Sequence, residues 1–278
     1  MRYEPRASTR RLSRAGIGRA LFRVLLYALL VLPLGGLVLY ALSTRWFYPQ
    51  VLPNTWTLEP LQRQLANPVT RDALGVSIEI ALLVSTLSVL ISYPAARALG
   101  TRTFRGKGLV TLLLFLPTVV PPVAMGMGLN ILFLRVGLAG TLPGVMLVHL
   151  IPVLPYTLFG LIGVFARYDP NYEYQALVLG AGHARIFLNV TVPLVLPGVA
   201  VAALFGFLVS WSQYLLTLLI GGGQIITLPL LLFATVAGGN PTTIAILSLL
   251  FVAPPIIVIA LTARYLTAAE IDERRGQY

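Results

Sequence analysis

Residues 173–197 read EYQALVLGAGHARIFLNVTVPLVLP, a stretch with spaced glycines, an arginine and a proline between two long apolar segments. The positions of the glycines and prolines predict two short helices joined by a turn. Asp169 followed by Pro170 is a favourable helix start, because an aspartate caps the first turn and proline fits the first helical position. The glycines of GAG (180–182) permit a left-handed turn. The second helix is predicted from about His183 to Val190, ended by Pro193.

The composition of the whole chain is that of a membrane protein. It has 278 residues, of which 57% are apolar and 10% are charged, whereas soluble domains carry about 25% charged residues. A spanning helix needs roughly 20 apolar residues. Long blocks without an acidic or basic residue are present at 24–44, 80–96, 108–134, 136–166 and 186–263. The fold class predicted from these blocks is an all-α, multi-pass integral membrane protein.

Glycine, proline and charge divide the apolar blocks into six predicted transmembrane helices. We place a basic cytoplasmic tail at 1–19, a six-span domain at 20–266 and a second cytoplasmic tail at 267–278. The segment 226–237 (ITLPLLLFATVA) is too short to cross and is expected to be interrupted by Pro229, so it is predicted to be interfacial or re-entrant. A short outer helix is predicted to begin near Thr57. The spans are about 20–43, 75–98, 108–134, 143–166, 196–219 and 241–265, with a loop at 167–195 between the fourth and the fifth.

The basic residues predict the orientation of the spans. With the N-terminus inside, 16 of the 20 Lys and Arg residues fall in inner segments and four in outer segments, as the positive-inside rule requires for an N-in, C-in topology. The net charge of +11 therefore indicates membrane orientation and contact with anionic lipids, and it does not indicate nucleic acid. There are no cysteines, which removes disulfides and thiolate metal sites.

The loop at 167–195 then lies in the cytoplasm. Ile186, Phe187 and Val190 share one face of its second helix, and no other segment is evidently available to cover them. Such an apolar ridge is typical of an element that docks into a partner's groove.

At this point the sequence resembles a known family. The pattern E-A-A, three residues, Gly, nine residues, I-x-L-P marks the permease subunits of bacterial binding-protein-dependent ABC importers. Matching offsets are occupied here by Ala176, Gly180, Val190, Val192 and Pro193. The motif's Glu-Ala positions hold Tyr174 and Gln175 instead, and the acid Glu173 stands one place early. The segments PTVVPPVAMGMGL (117–129) and SWSQYLLTLLIGGGQIITLPLLLF (210–233) resemble the permeases that serve polyamines, iron, thiamine, phosphonates and some sugars.

The resemblance implies a division of labour among subunits in the bacterial cytoplasmic (inner) membrane. A cytoplasmic ABC ATPase dimer holds ATP and Mg²⁺, so this chain binds no cofactor and is not an enzyme. An external binding protein delivers the solute, and a second permease subunit, different or identical, completes the pathway. The residues implied to couple the chain to the ATPase are Glu173, Ala176, Gly180, Gly182, His183, Arg185, Ile186, Phe187, Val190 and Pro193.

Polar residues inside the spans are candidates for the solute pathway. Polar side chains are costly to expose to lipid, so they should face the bundle interior. The candidates are Asn130, His149, Ser210, Trp211, Gln213 and Tyr214. The alternative for these residues is a hydrogen-bonded packing network. Glu79 is predicted to be an interfacial or helix-packing carboxylate, with a direct role in substrate binding as the alternative. Proline removes a backbone donor, and we expect a kinked or gating third span at Pro117, Pro121 and Pro122.

A self-sufficient secondary transporter or channel is the alternative function. The spans contain few ionisable groups for ion coupling, and no inverted repeat is visible. No phosphate-binding loop is present, and neither Glu79 nor His149 has the spacing of a metal ligand. The solute is expected to be small and polar: a polyamine, phosphonate, thiamine-like compound, metal chelate or sugar.

Overall fold

The fold comes from a computed structural model that describes residues 14–44, 46 and 49–275, with the side chains of 14–20, 30 and 264–275 left undescribed. Most of the predicted basic tail at 1–19 lies outside these residues. Within them the chain is helical and has no β-sheet. The helices are α1 (Arg14–Ala41), α2 (Glu59–Ala66), α3 (Pro68–Thr101), α4 (Lys107–Phe115), α5 (Pro122–Arg135), α6 (Leu142–Arg167), α7 (Asn171–Val178), α8 (His183–Ile186), α9 (Val192–Trp211), α10 (Leu215–Gly221), α11 (Leu228–Gly238) and α12 (Pro241–Arg275).

Five helical segments in the described part of the chain are long and apolar enough to cross a membrane, and a sixth span is possible if α4 and α5 form one. The five segments are Leu21–Ala41, Pro68–Thr101, Leu142–Arg167, His183–Trp211 and Pro241–Ala263.

The short outer helix predicted near Thr57 is α2, which begins two residues after Thr57. The Thr57 side-chain oxygen accepts a hydrogen bond from the Glu59 amide.

The predicted third span is broken more sharply than a kink. A 3₁₀ turn at Leu116–Thr118, which contains Pro117, follows α4, and α5 then begins at Pro122, directly after Pro121. The axes of the two halves meet at 88°. Prolines remove backbone donors and oppose the helical conformation of the preceding residue, so three of them within six residues permit this bend.

Two further expectations about helix boundaries are wrong. The helix that begins at His183 does not end before Pro193. It passes through a π turn at Phe187–Thr191 and continues as α9, with Pro193 in the first turn. Pro193 has no amide hydrogen to donate to the preceding turn, and the π turn there, which is wider by one residue, lets the helix continue through it. Pro229 likewise opens α11 and does not interrupt it.

The predicted fifth span also differs from the structure. It is not continuous over 196–219, because α9 ends at Trp211 and α10 begins at Leu215. The residues between them, 212–214, leave the helical path inside an apolar stretch. No glycine or proline marks this break in the sequence.

The centre of the fold is formed by α3, α6 and α9, which pack against one another. Their contact is close because small residues lie between them. A Cβ atom added at Gly206 of α9 would lie 2.8 Å from the Thr157 side chain, and one at Gly100 of α3 would lie 2.4 Å from the Phe165 Cβ and 2.9 Å from its carbonyl carbon. Around this centre, α1 packs on α12, α10 packs on α5 and α6, and α11 packs on α12.

Gly100→Ala is expected to lower the stability of the fold, because its new methyl group meets the backbone of α6, which cannot rotate away. Overpacking of this kind costs about 1–3 kcal/mol. Gly75→Ala is the matched control: it lies on the same helix and has open space at the Cβ position. Thermal unfolding in detergent, followed by tryptophan fluorescence, should show a lower midpoint only for Gly100→Ala. Equal midpoints for both variants would contradict the close contact.

Candidate coupling segment and polar helix break

The segment between α6 and α9 has the turn that its sequence predicts. The Asp169 side chain accepts a hydrogen bond from the Asn171 amide at 2.9 Å, which caps α7. At the other end Gly180 has a φ of +85°. The Gly180 amide donates to the Leu177 carbonyl at 2.9 Å and the Ala181 amide to the Ala176 carbonyl at 3.0 Å. This pair of bonds is a Schellman motif, and it reverses the chain into α8.

The exposed apolar surface of this segment differs from the predicted ridge. Ile186 is buried by the chain itself, with 5% of its surface exposed, so the prediction of an uncovered side chain there is wrong. The most exposed apolar side chains are Val178 (88%) and Leu179 (87%) at the end of α7, and Leu188 (62%) in the π turn. We call these three residues the exposed apolar patch.

The other predicted coupling residues divide between the surface and the interior. Phe187 is partly exposed but also contacts the Tyr93 ring edge-on at 6.2 Å between centroids. Ala176 and Val190 are half-buried. Apart from Glu173, the remaining ones are exposed, namely Gly180, Gly182, His183, Arg185 and Pro193.

Glu173 is directed toward the spans. Arg97 on α3 donates to both of its carboxylate oxygens, at 3.0 and 2.7 Å. Tyr168, just after α6, donates to Oε1 at 2.7 Å, and Thr191 in the π turn donates to the same oxygen at 2.8 Å. These four residues form what we call the Glu173 network. Sequence reasoning missed Arg97, Tyr168 and Thr191, since nothing in their local patterns pairs them with Glu173.

The Glu173 network changes the proton affinity of two of its members. Burial acts to raise the pKa of Glu173, but the hydrogen bonds from Tyr168 and Thr191 and the charge of Arg97 outweigh it and hold this pKa below its usual value. Burial raises the pKa of Tyr168 to about 12, and its bond to the Glu173 carboxylate adds to the rise. At neutral pH the network therefore contains an ionised carboxylate and a neutral phenol.

The lowered pKa predicts how the stability of this network depends on pH. The carboxylate is favoured in the folded state, so its contribution is fully present above the unfolded-state pKa of about 4.5 and is lost as the pH falls through the lower folded-state value. The difference in melting temperature between the wild type and Glu173→Gln should be constant from pH 8 to about pH 5 and should shrink below about pH 4. A difference that shrinks between pH 8 and pH 6 would contradict this assignment.

The second candidate site surrounds the helix break at 212–214. His149 of α6 is buried, and both of its ring nitrogens have partners: Nδ1 lies 3.0 Å from Ser210 Oγ and Nε2 lies 2.9 Å from Thr217 Oγ1. Thr217 also donates to the Gln213 carbonyl at 2.8 Å. The break is therefore held by a buried polar cluster between α6, α9 and α10. Thr217 was missed because a lone threonine in an apolar run carries no signal.

Trp211 belongs to the protein core. It is buried and lies between the rings of Phe207 and Phe251, each with a centroid at 5.8 Å. Its indole nitrogen donates to the Phe251 carbonyl at 3.0 Å. Its expected place on a solute pathway is therefore not supported by this structure, in which other side chains of the same chain enclose it.

The remaining pathway candidates are only partly enclosed. Tyr214 stacks on Phe233 with ring centroids 4.3 Å apart, and Gln213 is half-buried in the break. The Asn130 side-chain nitrogen donates to the Leu219 carbonyl at 2.6 Å, while its Oδ1 is buried without a hydrogen-bond partner. Glu79 is exposed on α3.

A family model described as "Binding-protein-dependent transport system inner membrane component" matches residues 88–269. The chain belongs to this family. The matched residues of this permease include the C-terminal part of α3, the whole coupling segment, the helix break and α11. The resemblance first indicated by the spacing around Gly180 is thereby confirmed.

Individual relatives of the permease agree with the family assignment. The molybdenum transport system permease protein ModB of Mycobacterium tuberculosis is 29% identical over 243 residues, which is 82% of this chain and 88% of the relative. The putative 2-aminoethylphosphonate transport system permease protein PhnV of Salmonella typhimurium is 27% identical over 256 residues, 91% and 93% of the two chains. The spermidine/putrescine transport system permease protein PotC of Haemophilus influenzae is 28% identical over 228 residues, 80% and 85%.

A solved structure supports the fold of the permease. It is the crystal structure of a bacterial ABC transporter involved in the import of the acidic polysaccharide alginate. The superposition has a TM-score of 0.74 with 19% sequence identity, and it covers 94% of this chain and 99% of the other. The chain is thus the permease subunit of an ABC importer with an all-α membrane fold, a class that works with an ATPase and a binding protein. The alternative of a self-sufficient secondary transporter or channel is not favoured.

Proposed function

We propose that this permease couples to a cytoplasmic ATPase dimer through residues 170–193 and forms part of the pathway for a small polar solute across a bacterial inner membrane. The observation that carries this proposal is the capped turn at Gly180. The turn joins α7 to α8, and the exposed apolar patch lies on both sides of it in the sequence. Val178 and Leu179 of this patch lie outside the five candidate spans, and large apolar side chains exposed there indicate an interface with a partner.

The ATPase supplies the energy in this proposal, and the permease has no catalytic role. ATP and Mg²⁺ are held by the partner, and the permease transmits its movement. An external binding protein delivers the solute, and a second permease subunit, different or identical, faces the pathway from the other side. The solute remains one of the class predicted from the sequence, which includes phosphonates, metal chelates, polyamines, thiamine-like compounds and sugars.

The relatives and the polar residues bear on the solute in different ways. The names of the relatives refer to molybdenum, 2-aminoethylphosphonate and spermidine/putrescine. Gln213, at the helix break, is neutral, and Asn130 has an unpaired oxygen. These are groups for hydrogen bonding and not for pairing with a cation. Ser210 and His149 contribute to the same region by holding the break in place.

The experiment that tests this proposal is affinity purification. The tagged chain, solubilised from its native membrane in mild detergent, should bring down an ATPase, a second permease subunit and a binding protein, identified by mass spectrometry. Recovery of the chain alone, together with transport in liposomes that does not require ATP, would overturn the proposal. The binding protein obtained in this way would then be screened against the candidate solutes.

Val178→Asp is expected to reduce recovery of the ATPase by at least tenfold. Val178 lies in the exposed apolar patch and outside the candidate spans, so a carboxylate there is harmless to the isolated chain but is desolvated in an apolar interface, which costs several kcal/mol. Val51→Asp is the matched control, since Val51 is a valine of nearly equal exposure, 87% against 88%, far from this segment in the chain. Unchanged recovery of the ATPase with Val178→Asp would show that the patch is not the contact.

A further inference from the structure

The direction of Glu173 separates two faces of the coupling segment. The exposed apolar patch faces away from the protein, whereas the Glu173 carboxylate accepts four hydrogen bonds from inside it. Only 17% of the Glu173 side chain is exposed. A carboxylate with this many internal donors has little capacity left for an external partner.

The three donors lie in or directly beside the three helices at the centre of the fold. Arg97 lies near the inner end of α3, Tyr168 follows the last residue of α6, and Thr191 directly precedes α9. One carboxylate on α7 is therefore bonded at or next to one end of each helix of the central group. Thr191 is itself buried, with 1% of its surface exposed.

Little else holds α7 against α3. The helix α7 packs on α8 and on the π turn, while a cavity of about 500 Å³ separates part of it from the inner end of α3. Residues of both helices line this cavity, including Ala98, Thr101 and Leu177, and Arg97 and Glu173 meet at its edge. The ion pair thus bridges two elements that are otherwise separated by open space.

A second ion pair, in α2, shows what is unusual about this one. Arg63 and Glu59 pair within one turn of α2, and their side chains are 78% and 62% exposed. Exposed pairs of this kind contribute little because water and salt screen them. Hydrogen bonds to a charged group in a partly buried site contribute about 1.5–3 kcal/mol.

We infer that Glu173 is a positioning residue that ties the coupling segment to α3, α6 and α9, and that it is not a contact to the ATPase. This inference rests on the proposed coupling function and divides its residues into two roles. The exposed apolar patch receives the movement of the partner, and the Glu173 network passes it to three spans together. Glu173 and Phe187 were both predicted to contact the ATPase. In this inference Glu173, and part of Phe187, instead belong to the side of the segment that contacts the spans.

The test uses the whole complex, co-purified and reconstituted in liposomes, with three readouts: ATPase recovered, ATP hydrolysed and solute transported per ATP. Glu173→Gln keeps the size of the side chain and removes its charge. We expect wild-type recovery of the ATPase and continued hydrolysis, with transport per ATP reduced about tenfold, the factor that corresponds to losing one charged hydrogen bond. Glu59→Gln is the matched control and should be unchanged in all three readouts.

Two further variants separate positioning from a general loss of structure. Arg97→Gln should reproduce the effect of Glu173→Gln, and the double variant should be no worse than the worse single one, because both changes break one network. Thr191→Val removes a single donor with almost no change of shape, and it should lower transport per ATP to an intermediate value even if either charge variant fails to fold.

Three outcomes would overturn the inference. They are loss of the ATPase from folded Glu173→Gln, wild-type transport per ATP in Thr191→Val, and effects of Arg97→Gln and Glu173→Gln that add. Failure of the proposed function is distinguishable, because the wild-type chain itself would then recover no ATPase.

Discussion

Gly180→Pro is expected to abolish ATP-driven transport while leaving the spans assembled. Gly180 has a φ of +85°, whereas proline is confined to a φ near −65°. Its amide donates to the Leu177 carbonyl, and proline has no amide hydrogen to donate. The turn between α7 and α8 therefore cannot form, at a cost of about 3 kcal/mol or more, which corresponds to at least a hundredfold loss of the coupled conformation.

Gly182 provides a control for this variant two residues away. Its backbone, with a φ of −72° and a ψ of 156°, already has the conformation that proline prefers. Transport by the reconstituted complex should be close to wild type for Gly182→Pro and absent for Gly180→Pro, with both proteins showing the same melting midpoint. Equal losses in the two variants would mean that any proline in this segment is harmful and that the left-handed turn has no particular role.

His149→Leu is expected to destabilise the fold more than it alters solute selection. Both ring nitrogens of His149 are within hydrogen-bond distance of buried hydroxyls, those of Ser210 and Thr217. A buried polar group left without a partner costs about 1–3 kcal/mol. The melting midpoint in detergent should therefore fall clearly, and the loss should be largest where α6, α9 and α10 meet.

The triple variant His149→Leu, Ser210→Ala, Thr217→Val tests the same point from the other side. Replacing all the polar partners by apolar groups leaves nothing unsatisfied, which is often nearly neutral. Most of the lost stability should return. If the single variant melts like the wild type but transports a different range of solutes, His149 belongs to the pathway and the packing role is wrong.

The coupling segment was predictable where the chemistry is local. Asp169 caps α7 and Gly180 takes the left-handed conformation, and both follow from the properties of single residues. Pro193 was misinterpreted, because proline normally opposes a helix in its interior. Here the helix continues through the π turn that precedes this proline, and no residue type in the sequence marks such a turn.

Burial inside the membrane domain was harder to predict than secondary structure. The helix α9, which ends at Trp211, is apolar around almost its whole circumference, so periodicity does not distinguish its faces. Trp211 is enclosed by Phe207 and Phe251, the second of them from α12. The Glu173 network could not be predicted from the sequence either. Arg97 is 76 residues from Glu173, and no local sequence rule pairs residues that far apart.

The helix that begins at His183 does not end at Pro193, and this continuity has a mechanical consequence. His183–Trp211 is one helical segment of 29 residues, roughly 43 Å long at 1.5 Å per residue. A rod of that length acts as a lever arm: a tilt of about 10° at its base sweeps its tip through roughly 7 Å, more than the thickness of a side-chain layer. The tip is Trp211, next to the gap at 212–214. In the proposed coupling, a small rotation at the His183 end would therefore become a large displacement at the Trp211 end.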